Sequence, residues 1–592
     1  MKTEIRDRVA ALRQFMRDHH LSAFIIPSTD PHSGEYVPEH WETRKWLSGF
    51  TGSAGTAVIT LQQAGLWTDS RYFLQADEQL ANTGITLFKD RLPETPSITE
   101  WLLKVLQPGD TVGIDGWVNT FQETQNIQKE LSKKQIGLTL APDPFTILWT
   151  DRPTLPHNPV VLQPLEFAGV SCTNKMSQLL EAAHQNGCSG ILISALDEVA
   201  WTLNLRGSDV HCNPVFVSYL LLTDEKYTLY ILEDKLSDDV KAYLDAHQVC
   251  VRPYNAIETD LKNYTGKLQL PTNINASIQE AAHTQAQVTL ATSPALLLKA
   301  IKNESEIKGF RRAMERDGIA MVKFLRWLEA AVPTGNETEL SIDRKLYELR
   351  AEQAHFRGIS FDTIAGYAAH GAIVHYEATP ETDVPLQSKG LLLLDSGAQY
   401  LDGTTDITRT LALGDLTEEE KTDYTLVLKG FIQLSMAEFP HGTCGTQLDA
   451  LARLPMWKCG INYGHGTGHG VGAFLNVHEG PHQFRMNYMP ALLVPGMTVT
   501  NEPGIYKAGR HGIRTENTML IIPARETEFG AFYRFEALTL CPIDKKPIRT
   551  DLLNDEEKAW LNQYHQNVYS RLSPFLNTEE CAWLKEATAP LN

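Results

Sequence analysis

Ile5, Val9, Leu12 and Met16 recur at helical spacing through the charged opening "MKTEIRDRVAALRQFMRDHH", which predicts an amphipathic first helix. The pattern then shortens. "SAFIIPS", "TAVITL" and "GLWTDSRYFL" are apolar runs bounded by turn residues, so residues 22–75 read as strand, helix, strands. The arrangement returns in "SGILISALDEVAWTLNLRGSDV". Each copy has a helix, then Ser and an apolar strand, then Trp, two residues, Gly or Asn, and a later Gly-Ser: Trp46…Gly52-Ser53 and Trp201…Gly207-Ser208. This reads as a weak internal duplication of one α/β unit, against chance similarity of two βα segments.

Pro-rich "APDPFTILWTDRPTLPHNP" at 141–159 separates the two copies. A second break falls near "ATSPALLLKAIKNESE", where Asn303 followed by Glu306 predicts a capped helix start. Ile307, Phe310, Met314, Met321, Phe324, Leu325 and Leu328 hold helical spacing until "VPTGNETE". After about residue 540 the chain is acidic and Trp-containing, with Asn554 and Glu557 as another capping box before Trp560, Leu561 and Tyr564. The expected division is an α/β domain over 1–150, a related one over 151–295, a larger unit over 296–542 and a helical extension over 543–592.

Composition narrows the class. With 592 residues, 42% apolar and 21% charged, the chain can build several ordinary cores. A net charge of −19 without any basic run argues against nucleic acid and anionic membrane as partners. The opening helix lacks the apolar stretch of a signal peptide, and no apolar run is long enough for a membrane span. The eight cysteines form no CxxC and read as reduced thiols. The expectation is a soluble cytoplasmic protein.

The chemistry concentrates in the third unit. "GLLLLDSGAQYLDGTTDITRTLAL" reads as a hairpin with Asp395 at the end of one arm and Asp406 near the middle of the other. Adjacent buried carboxylates repel, so one takes a proton or a cation sits between them. The plainer alternative is that Asp395 caps a turn and Asp406 pairs with Arg409 at the surface. "GMTVTNEPGIYKAG" then puts Glu502 at a strand end, and "HGIRTENTMLII" puts Glu516 on a strand. "NYGHGTGHGVGAFLNVHEGP" adds His465, His469 and His478 among six glycines. No Glu follows either of the first two histidines as in HExxH, and the glycines disfavour a zinc-binding helix. A bent backbone that lets one His reach a metal fits better, with the other two facing substrate. Four carboxylates and one imidazole suit Mn²⁺, and Co²⁺ or Zn²⁺ less selectively. Two ions, rather than one, balance four acids.

The order Asp395, Asp406, His469, Glu502, Glu516 resembles the ligand order of the pita-bread metallopeptidases, which include methionine aminopeptidase, prolidase, creatinase and aminopeptidase P. "DSGAQYLDGTTDITRT", "GHGTGHGVGAFLNVHEGP", "GIRTEN", "WTDSRYFLQA" and "LDEVAWTLNLRGSDVHCNPVF" are similar to the long, cytosolic-type Xaa-Pro aminopeptidases, over nearly the whole chain. The resemblance implies an α/β architecture: two related creatinase-type N-terminal domains, then a pita-bread α+β catalytic domain with a helical tail. It implies a dimetal aminopeptidase that cleaves the Xaa-Pro bond of peptides with proline second. A prolidase restricted to dipeptides and a catalytically silent peptide-binding scaffold are the alternatives. By resemblance, Asp395 ligates one Mn²⁺, His469 and Glu502 the other, and Asp406 and Glu516 bridge them. Glu502 also serves as general base. His375 lies near the scissile bond, His478 steadies the oxyanion and His465 lines the proline side. Arg514 is grouped with the substrate side and orients a ligand carboxylate, and Arg71 contacts substrate. His370, five residues before His375, departs from the pattern and reads as an exposed loop histidine. The tail, with Trp560 and Trp583, suggests a homodimer, or else anchors within the chain.

Overall fold

The computed structural model describes residues 2–591 and resolves into two compact units. One comprises the chain up to Leu162 together with Ser171–Ala295. The other comprises Gln163–Val170 and everything from Leu296 onward.

The first unit holds two six-stranded sheets. In spatial order the first runs Thr86–Lys89, Ala64–Thr68, Thr56–Thr60, Ala23–Ile26, Thr111–Ile114, Gly137–Leu140. The second runs Val249–Pro253, Tyr227–Ile231, Tyr219–Thr223, Gly190–Ile193, Lys267–Pro271, Gln287–Ala291. Numbered along the chain, both have the order 4-3-2-1-5-6, with antiparallel pairs 1-2 and 2-3 and parallel pairs 3-4, 1-5 and 5-6. Shared order and shared pairing sense make the duplication structural rather than a coincidence of words. The Gly-or-Asn position of the repeat also acquires a cause. Gly49 and Asn204 end equivalent helices, Thr43–Ser48 and Leu196–Leu203, in the left-handed conformation with φ of 72° and 51°. Glycine and asparagine tolerate that geometry best.

One strand is shorter than the apolar run suggests. "GLWTDSRYFL" is extended only to Thr68, and a helix begins at Phe73. Between them the Asp69 carboxylate accepts from the Arg71 backbone N–H and closes a turn, which the apolar content of the run hides.

In the second unit the helix Glu304–Ala331 starts as expected. Asn303 accepts from the N–H of Glu306, and its own N–H donates to the Glu306 carboxylate. The strand Leu391–Ser396 lies between Ile364–Tyr367 and Ile407–Ala412 in an antiparallel sheet. Leu392 and Leu394 pack with Phe324, Leu328 and Leu346, while Leu391 packs into the core of Phe431 and Leu561. A strand buried on both faces explains its unbroken leucine run. A six-stranded sheet follows, in the order Glu438–Pro440, Gly530–Ala537, Asn517–Thr527, Thr498–Asn501, Gly468–Gly470, Glu479–Phe484.

The tail helices Asp555–Leu572 and Thr578–Ala587 complete this unit's core. Leu561, Val568, Leu572 and Leu584 are at most 0% exposed. Trp560 packs edge-on against Phe431, and the Trp583 indole N–H donates to Glu329 at 2.8 Å. Both tryptophans are therefore anchors within the chain. Among the described residues no helix is long and apolar enough to cross a membrane.

Candidate metal centre

The acids come together where strands end, beside a histidine held within a short strand. Asp395 lies one residue before the end of Leu391–Ser396. Asp406 stands immediately before Ile407–Ala412, not in its middle, and Glu516 occupies the two-residue break between His511–Arg514 and Asn517–Thr527. Glu502 follows Thr498–Asn501, and His469 is central in Gly468–Gly470. The correction to Asp406 and Glu516 has a simple cause. Mid-strand side chains alternate between faces, whereas backbones that diverge at strand mouths can aim several side chains at one point.

One ligand atom each from Asp406, His469 and Glu516 lies within 4.8 Å of the others. His469 Nε2 stands 3.4 Å from both Asp406 Oδ2 and Glu502 Oε1, and its Nδ1 lies 2.9 Å from the Gly470 carbonyl. Asp395 pairs in register with Thr408. The Thr408 hydroxyl donates to Glu516 Oε2 at 2.8 Å, and the Glu516 N–H donates to the Thr408 carbonyl. The Thr500 hydroxyl accepts from the His469 N–H and donates to Glu502 Oε1. These threonines stitch together the strands that carry the clustered acids and histidine, and the sequence gives them no signal beyond β propensity.

Arg514 is fully buried. Its Nη2 meets Asp395 Oδ2 at 2.6 Å, Nη1 donates to the Tyr506 hydroxyl at 2.7 Å, Nε reaches Thr408 at 3.2 Å and Nη2 the Val374 carbonyl at 3.3 Å. The guanidinium is thus committed to Asp395 and its surroundings. Nothing in the sequence marks Tyr506. Its hydroxyl also lies 2.8 Å from His465 Nε2, which links His465 through Arg514 to Asp395. Arg453 steadies the glycine-rich segment by donating to the carbonyls of Tyr463 and His465.

Arg409 settles the surface-pair alternative. Its guanidinium is 1% exposed and donates to the carbonyls of Glu516, Pro542 and Cys541, to Asn517 Oδ1 and to the Tyr564 hydroxyl. It is a structural tie between strands and tail, not a partner of Asp406.

The electrostatics are those of crowded acids. Burial pushes Asp395 up to about 7 despite Arg514, with Asp406 and Glu502 adding repulsion. Burial raises Glu502 and Glu516 as well, the latter well above the carboxylate range. Against burial, Asp406 and Glu502 raise His469 to about 9. Asp395 Oδ1 and Glu516 Oε1 are buried and, among the described residues, have no hydrogen-bond partner. Buried carboxylate oxygens without donors are costly, and divalent cations are the species that satisfy several at once.

The ring of His478 stands edge-on to His469 with centroids 4.3 Å apart. His375 is half-buried in the segment after Ala368–Ala372, next to Val374, whose carbonyl Arg514 holds. His370 is not an exposed loop histidine. Its Nδ1 lies 2.9 Å from the sealed carboxylate of Glu339, which also accepts from the Tyr376 hydroxyl and the Tyr367 N–H. A buried acid 31 residues earlier in the chain captures it, which local sequence cannot show. Arg71 belongs to the first unit, where Asp69 holds it at 2.8 Å and Glu35 at 3.4 Å.

Comparison with known proteins places the chain in a family. Residues 308–523 match the model of metallopeptidase family M24, and 531–591 match the C-terminal region of that peptidase family. Residues 8–141 and 151–306 each match the creatinase/prolidase N-terminal domain. The chain is 40% identical to a probable Xaa-Pro aminopeptidase P of Laccaria bicolor, over 99% of this chain and 93% of that protein. It is 38% identical to aminopeptidase P1 of Arabidopsis thaliana, over 99% of each. A crystal structure of X-prolyl aminopeptidase from Caenorhabditis elegans, described as a cytosolic enzyme with a di-nuclear active site, superposes with a TM-score of 0.95 at 34% identity, covering 99% of this chain and 100% of that one. The chain belongs to the Xaa-Pro aminopeptidase family of M24 metallopeptidases.

Proposed function

We propose that this protein removes the first residue from peptides whose second residue is proline, using two divalent cations held by Asp395, Asp406, His469, Glu502 and Glu516. The observation that carries the reading is the convergence of three buried carboxylates, the half-buried Glu502 and one imidazole, with one oxygen each of Asp395 and Glu516 sealed without a donor among the described residues. Asp395 would hold one ion, His469 and Glu502 the other, and Asp406 and Glu516 both. The oxygen-rich set favours Mn²⁺, with Co²⁺ and Zn²⁺ as competitors. Bound there, the ions supply a lowered pKa for water and Lewis-acid polarisation of the scissile carbonyl.

The chain's own groups do the rest. Glu502, 3.4 Å from His469 Nε2 and held by the Thr500 hydroxyl, takes the proton of the attacking water. His478 steadies the oxyanion as the carbonyl becomes tetrahedral. His375 delivers a proton to the leaving proline nitrogen. That nitrogen carries no hydrogen in the substrate amide, so a site that does not require a donor there accepts it. His465, held by Tyr506, lines the proline side. Negative charge at Asp395 favours a free N-terminal amine, which makes the reaction an exopeptidase cleavage. Arg514 holds Asp395 in place.

Arg-Pro-Pro is expected to release Arg with added Mn²⁺, while Arg-Ala-Pro stays intact. Cleavage of Arg-Pro alone would make the protein a prolidase, and absence of both cation and cleavage would make it a scaffold. A cytosolic location and a homodimer are part of the proposal, supported by the family resemblance and, for location, by the description of the nematode relative. The tail tryptophans no longer argue for the dimer, and light scattering at twice the chain mass would establish it.

A further inference from the structure

Glu479, Lys299 and Lys302 form a charged cluster that the proposed chemistry leaves unused. Their side chains are 0%, 1% and 0% exposed. Lys299 Nζ donates to Glu479 Oε2 at 2.6 Å, and Lys302 Nζ donates to Oε1 and, at 2.9 Å, to the Lys299 carbonyl. Two cations around one anion are a poor way to fill a core, since even balanced buried pairs seldom outperform apolar residues. The position of Glu479 suggests what the cluster is for. It directly follows His478, and it pairs in the sheet with Gly470, which directly follows His469. The backbones approach closely there: a Cβ on Gly470 would lie 2.5 Å from the Glu479 carbonyl oxygen and 2.7 Å from His482 Cε1. His482 is itself sealed, with Nε2 bonded to the Thr498 carbonyl at 2.7 Å.

We propose that Glu479 is a positioning residue for the hydrolysis: its carboxylate, gripped by Lys299 and Lys302, fixes the main chain from which His478 reaches the reacting carbonyl. The inference rests on the reading above, in which His478 steadies the oxyanion. A donor to developing charge is effective only when it is already in place, and a displacement of about 1 Å can cost ~100-fold in rate. Two charge-assisted bonds in the interior hold a main chain more firmly than rotamer packing does.

Glu479→Asp keeps the charge but withdraws the carboxylate by one methylene, so it cannot satisfy both lysines. With Arg-Pro-Pro its kcat is expected to fall roughly tenfold, by a fraction of that full displacement effect, while KM and divalent-ion content stay as in the unaltered protein. Lys302→Met, the second variant, leaves a neutral Lys299–Glu479 pair and is expected to lower kcat in the same way. The discriminating variant is His478→Ala/Glu479→Asp, expected to be no slower than His478→Ala alone, because Glu479 acts through that ring. Unchanged kcat in the folded single variants, or losses that multiply in the double variant, would overturn the proposal. Failure of the unaltered, cation-loaded protein to cleave Arg-Pro-Pro would overturn the functional reading itself, and this inference with it.

Discussion

Stripping divalent cations is expected to destabilise the catalytic unit, and increasingly so as pH rises. In the cation-free chain, burial carries Asp395 from 3.8 to about 7, against Arg514 and with Asp406 and Glu502 adding repulsion. Its folded pKa lies above the unfolded one, so the penalty is absent below pH 3.8 and complete above about 7. At about 1.4 kcal/mol per tenfold in acidity, that penalty is roughly 4 kcal/mol. His469 contributes with the same slope. Its folded pKa is about 9 rather than 6.5, so its ion pairing stabilises fully below 6.5 and is lost as pH climbs through 9. Glu502 and Glu516, also raised, steepen the decline. Cation binding needs ionised carboxylates and a neutral imidazole, so the loaded protein escapes this decline. Calorimetry of chelator-treated and reloaded protein at pH 5.5, 7.0 and 8.5 reads the effect, following the transition of the catalytic unit because a two-unit chain has no single Tm. The loaded-minus-stripped difference is expected to widen by about 5–10 °C from pH 5.5 to 8.5. Glu516→Gln removes one of the repelling groups, so the stripped variant should melt above the stripped parent at pH 8.5. A stripped parent equally stable at both extremes, or a stripped Glu516→Gln no more stable than it, would refute the reasoning.

Other outcomes follow from single contacts. Arg514→Met leaves Asp395 Oδ2 and the Tyr506 hydroxyl without their donor, and is expected to lower kcat/KM for Arg-Pro-Pro by roughly 10–100-fold. Gly468→Ala would place a Cβ 1.9 Å from the Thr500 carbonyl oxygen, beside His469, so the urea transition of the catalytic unit should show a loss of about 1–3 kcal/mol together with lower activity. Leu392→Ala opens a cavity among Phe324, Leu328 and Leu346, and is expected to cost about 2–5 kcal/mol by the same measurement.

The carboxylates and imidazole that converge are legible because their chemistry is written in their side chains: carboxylates at the ends of apolar runs have few bland explanations once several occur together. Their setting was less so. Asp406 reads as mid-strand because Thr404, Thr405 and Ile407 are all β-formers, and only the register with Leu391–Ser396 reveals the break before Ile407. The fold's repeat was readable through its helix ends, where Gly49 and Asn204 share a backbone requirement. The supporting residues were hidden. Thr408, Tyr506 and Glu479 act across sequence separations of 108, 41 and 180 residues, and nothing local marks the partner. His370 reads as a loop histidine for the same reason, since Glu339 reaches it from another element.

The central claim is that the buried carboxylates exist to hold a pair of cations. Metal analysis of the protein after reconstitution with Mn²⁺ and exhaustive dialysis tests it most directly, alongside Asp406→Asn treated identically. Two ions per chain in the parent, with both lost in Asp406→Asn, is the predicted result. A parent that retains none, or a count that Asp406→Asn leaves unchanged, would contradict it.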